Sequence, residues 1–79
     1  MVEVFKTNVT SNHQARVLVE VIQYQFKDYK VNFDLDDCDH ILRIESSRAI
    51  QPDPLVMFLK DMGVNAEVLS DEPVLLIIS

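Results

Sequence analysis

Seventy-nine residues, 48% apolar and 25% charged, suffice for one small globular domain and leave no room for a second. Thirteen acids against seven bases give a net charge of −6, which repels a phosphate backbone or an anionic membrane and argues against nucleic-acid and membrane partners. One cysteine, Cys38, excludes an intrachain disulfide or a four-cysteine zinc site, and one glycine, Gly63, excludes a glycine-rich phosphate loop.

Val2 and Val4 alternate with Glu3, Phe5 and Lys6, the pattern of a short strand with one face for the core. Residues 7–11 are polar apart from Val9, and Thr10 or Ser11 can cap a following helix by accepting a first-turn N–H. That helix is expected over 12–29. At 100° per residue Ala15, Leu18, Val19, Ile22, Phe26 and Tyr29 share the stripe a globular helix buries. Val17, Val21 and Tyr24 gather on the reverse side, among Arg16, Glu20, Gln23 and Lys27, where no partner is evident.

From Lys30 the period becomes two, with Val31, Phe33 and Leu35 opposed to Asn32, Asp34 and Asp36. Asp36, Asp37, Cys38 and Asp39 supply turn chemistry, and residues 40–45 alternate again, so a β-hairpin is expected. After a loop over 46–51, Asp53 reads as an N-cap and Pro54 as the first helical residue. Leu55, Phe58, Leu59 and Met62 recur at helical spacing, and Gly63 stands where a left-handed residue would end the helix. Val64, Ala66 and Val68 alternate with Asn65 and Glu67 as a fourth strand, and Ser70, Asp71, Glu72 and Pro73 break the pattern.

These elements predict an α+β fold, a ferredoxin-like βαββαβ sandwich whose antiparallel sheet carries two helices on one face. The domain spans 1–70, and 71–79 is an apolar extension able to add a fifth strand. Residues 1–6 lack the regions of a signal peptide, and the apolar run 74–78 is too short to span a bilayer, so a cytoplasmic chain is expected.

The long first helix, the short second helix and its ending Met62, Gly63, Val64 resemble a heavy-metal-associated domain over roughly residues 1–70. The resemblance implies that fold. It would also imply a Cu(I) site of two thiolates spaced C-x-x-C in the loop entering the first helix. Here that loop reads Thr7, Asn8, Val9, Thr10, Ser11, Asn12, His13, so no ligand carries over.

Other candidate sites are sparse. Asp34, Asp36, Asp37 and Asp39 place four acids within six residues, and Cys38 and His40 could converge across the turn. A metal set of Cys38, His40, Asp36 and Asp39 is the alternative reading. No nucleophile, base and orienting third group stand together, so no catalysis and no cofactor are expected. The RNA-recognition topology would display aromatics on strands one and three; Phe5 could serve on the first, but Ile41, Arg43 and Glu45 occupy the other. Amino-acid-binding regulatory domains of the ACT family share the topology, but they bring glycine to the turn after strand one, and residues 8–11 hold none.

What remains is surface. Val17, Val21, Tyr24, Leu75 and Ile77 are the apolar residues most suited to a protein partner or a second copy. The expected function is therefore a non-catalytic interaction domain of heavy-metal-associated type that self-associates or acts as an adaptor.

Overall fold

Alternation and β-branched side chains make Val2–Thr7 the first strand, β1, and side-chain parity then decides which of its faces is buried. Phe5 is fully buried and Thr7 nearly so, whereas Val2 is 58% exposed. Phe5 therefore belongs to the core and cannot be the displayed base-stacking aromatic. The computed structural model describes residues 1–69, and the extension 71–79 lies outside the described residues.

The helix α1, Asn12–Gln25, starts where Ser11 Oγ accepts the Gln14 N–H at 3.3 Å. It ends four residues before the expected Tyr29. Phe26 leaves helical geometry (φ −121°, ψ 84°) while its N–H still donates to the Ile22 carbonyl. Its ring stacks on Tyr29 at 5.2 Å and meets the edge of Phe58 at 5.6 Å. Two aromatic partners at those distances are each worth about 0.5–1.5 kcal/mol, which offsets the last turn of helix. Gln23 then fastens the exit, its Oε1 accepting the Val31 N–H at 3.0 Å.

The hairpin consists of β2, Lys30–Asp34, and β3, Ile41–Glu45, and the second helix α2 spans Pro52–Asp61. The N-cap of α2 is Gln51, without a side-chain bond, and Pro52 is the first helical residue, so Asp53 is not the cap. Proline suits that place because its fixed φ is helical and a first-turn N–H has no partner to lose. Asp53 instead puts negative charge in the first turn, and Lys60 positive charge in the last, both favourable to the helix dipole.

At the other end Gly63 has φ +81°, its N–H donates to Lys60, and the Val64 N–H reaches back to Leu59 at 2.9 Å. Those two bonds are a Schellman ending, and Leu59 and Val64, both buried, make its hydrophobic contact. Met62, expected in the buried stripe, is the C-cap and is 38% exposed. The fourth strand β4, Ala66–Val68, is short.

The result is a small α+β unit of four antiparallel strands and two helices, compatible with a ferredoxin-like fold. In the sheet the strand order is β2-β3-β1-β4. Its register sets Phe5 opposite Leu42 and Val31 opposite Ile44 on one face. The same cluster takes in Ala15, Leu18 and Ile22 of α1 and Leu55 and Leu59 of α2. Both helices therefore bury their apolar stripes against that face. Three loop residues, Val9, Ile50 and Val64, complete the core. No helix among the described residues is long and apolar enough to cross a membrane.

Candidate functional site

With Ala15, Leu18 and Ile22 buried, the helix period turns Val17, Val21 and Tyr24 outward, within about 60° of one another. Tyr24 is 75% exposed and Val17 46%, and Val21 is half-buried between them. The spacing of four then three is that of a two-helix seam, in which successive apolar residues stay on one side. Lys27 holds its ammonium 5.0 Å from the Tyr24 ring centroid. Leu75 and Ile77, expected to join this surface, lie outside the described residues.

The acidic turn after β2 is held by a side-chain and a backbone hydrogen bond. Asp37 Oδ1 accepts the Asp39 N–H at 2.9 Å, and the His40 N–H donates to the Asp37 carbonyl at 3.0 Å. His40 adopts φ +49°, so the strand alternation that would align Cys38 with His40 does not run through the turn. Potential ligand atoms of Asp37, Cys38 and Asp39 lie within 4.8 Å of one another, while Asp36 and His40 stand outside that group. Of the four expected ligands the fold thus brings together Cys38 and Asp39, with Asp37 as their neighbour. His40 Nδ1 is buried and has no hydrogen-bond partner among the described residues.

Thr7 ties this turn to the end of β1. Its N–H donates to the Asp39 carbonyl at 3.2 Å, its hydroxyl donates to the His40 carbonyl at 2.6 Å, and the same oxygen accepts the Val9 N–H at 3.2 Å. Asn8 Oδ1 accepts the Asn65 N–H at 3.0 Å and joins the loop to the approach of β4. Where the resembled family would place its thiolates, the loop is therefore closed on itself by polar side chains, with Val9 buried beneath it. Nothing in the local pattern marks Thr7 and Asn8, because their partners lie 33 and 57 residues away.

Two grooves accompany these features. One, of about 510 Å³, runs between α2 and the start of β4 and is bounded by Val56, Lys60, Val64 and Ala66. The other, of about 300 Å³, lies beside Tyr29, Arg48 and Gln51. No known family model, curated protein or solved structure matches the chain.

Proposed function

We propose that this chain is a non-catalytic interaction domain, a ferredoxin-like sandwich of heavy-metal-associated type without the thiolate site, that self-associates through the outer face of α1. The observation that carries the reading is the outward seam of exposed Val17 and Tyr24 and half-buried Val21 on a helix whose other side buries Ala15, Leu18 and Ile22. A second copy is the occupant that the four-three spacing suits best, because an identical helix offers the same seam in return. Three side chains expose only a few hundred Å² between them, below the roughly 1,000 Å² of a stable interface. Association is accordingly weak, with a dissociation constant on the order of 10⁻⁴ M. In this reading the chain works in the cytoplasm, where the exposed Cys38 stays a thiol.

A dilution series followed by backbone amide shifts tests this. The Val17, Val21 and Tyr24 amides should move together with concentration, while those of the acidic turn stay fixed; shifts confined to other elements would remove the support.

The second reading, a divergent metal-handling domain, rests on the proximity of Asp37, Cys38 and Asp39. Exposed carboxylates held by a turn are well solvated, and Asp37 already spends one oxygen on the Asp39 N–H. Titration with Zn(II) is expected to leave the resonances of these residues unmoved. Saturable shifts lost in Cys38→Ser would favour the metal reading instead.

A further inference from the structure

We infer that the outer edge of β2 is a pairing site for β2 of a second copy, and that the Gln23 side chain keeps this edge closed in the native chain. Among the described residues no strand lies beyond β2. Val31 gives its N–H to Gln23 Oε1 at 3.0 Å rather than to β3, so Lys30, Asn32 and Asp34 are the residues whose backbone groups pair with β3. By the same alternation Phe33 turns its N–H and carbonyl to the outer edge, beside those of Val31. Gln23 reaches this edge from α1 and occupies one of its two outward N–H groups. An open edge is a template for another strand, and here an amide side chain blunts it.

The residues of β2 are complementary to a copy of themselves. An antiparallel pair centred on Asn32 sets Val31 opposite Phe33 of the second copy and Lys30 opposite its Asp34, each twice by symmetry. Val31 and Phe33 are the outward positions, so both of those pairs can exchange backbone hydrogen bonds. On the helix-bearing face Val31 is buried and Phe33 half-buried, and pairing covers the open side of Phe33. Lys30 and Asp34 are exposed on the other face. The neighbour of Asp34 in β3 is Ile41, so no cation answers its charge there. Opposite charges directly across a strand pair are favourable, and like charges unfavourable.

Gln23 decides between the two states. With its amide in place, pairing must first break the Val31 N–H bond in each copy. Without it, two partly buried N–H groups lack an acceptor until a second strand supplies one. This edge is separate from the α1 seam and needs none of its residues.

Sedimentation equilibrium of the full chain tests this in a background of Val21→Glu with Tyr24→Lys, which removes the seam. There Gln23→Met, similar in length but without an acceptor, should dimerise on the order of 10-fold or more tightly than its parent. Gln23→Glu, which keeps an acceptor, should behave as the parent. Adding Asp34→Lys to Gln23→Met should abolish the gain, because Lys30 then faces a like charge. In the native chain the Val31 amide should exchange on the order of 10-fold more slowly than the Phe33 amide at every concentration, which reads the closed edge without any substitution. A Gln23→Met chain as monomeric as its parent while its Leu42 amide stays protected would overturn the inference. So would a gain that survives Asp34→Lys, or a native Val31 amide that exchanges as fast as that of Phe33.

Discussion

Replacing Gly63 by alanine isolates backbone conformation from packing. Gly63 holds φ +81°, and a Cβ built there meets nothing within 4 Å, so no clash contributes to the change. What remains is the cost of the left-handed region for an L residue, about 1–2 kcal/mol. Alanine also narrows the unfolded ensemble, which offsets about 0.4–1 kcal/mol of that. The expected net loss is about 1 kcal/mol, or a melting point lowered by roughly 4–8 °C for a domain of this size. Urea unfolding should show a lower midpoint with an unchanged slope, because the exposed surface is the same. A D-alanine introduced by chemical synthesis should reverse the sign, since positive φ is its own preferred region. A neutral or stabilising Gly63→Ala would refute the reasoning, and with it the Schellman ending of α2.

The two helix starts predict losses of the same sign with different physical origins. Ser11→Ala should cost about 1 kcal/mol because Ser11 caps α1, whereas Asp53→Ala should cost only about 0.3–1 kcal/mol through the helix dipole. Salt should shrink the second effect more than the first, as urea midpoints at two ionic strengths would show. Thr7→Val keeps the shape of a 7% exposed side chain but removes its bonds to Val9 and His40. The buried Val9 N–H then loses its acceptor, and the chain should lose about 1–3 kcal/mol in equilibrium unfolding. Faster amide exchange in the acidic turn should accompany that loss.

Local chemistry explains which features were readable from the residues alone. Gly63, Ser11 and the stripe of Leu18 and Ile22 answer to rules that act within one or two helical turns, and each behaves as expected. Leu42 and Ile44 follow from strand alternation against Arg43 and Glu45. The end of α1 was not readable, because Phe26 exchanges a helical turn for the ring of Phe58, 32 positions along the chain. Val9 and Ile50 looked like loop residues among polar neighbours, and only the assembled core shows them buried. Asp53 followed by Pro54 read as the start of α2, but the helix begins two residues earlier, with Gln51 as the cap and Pro52 as the first helical residue.

The candidate surfaces divide along the same line. Val17, Val21 and Tyr24 were placed on the outer face of one helix by periodicity, and a single helix suffices to determine that face. The Cys38 and His40 pair depended on alternation persisting through a turn, and the positive φ of His40 breaks it.

The central claim, self-association through the outer face of α1, is tested most directly by sedimentation equilibrium of the full chain from micromolar to millimolar concentration, beside Val21→Glu with Tyr24→Lys. The native chain should rise from monomer toward dimer mass across that range, and the double variant should stay monomeric with its unfolding midpoint little changed. A native chain that remains monomeric throughout, or a variant that dimerises equally well, would contradict the account.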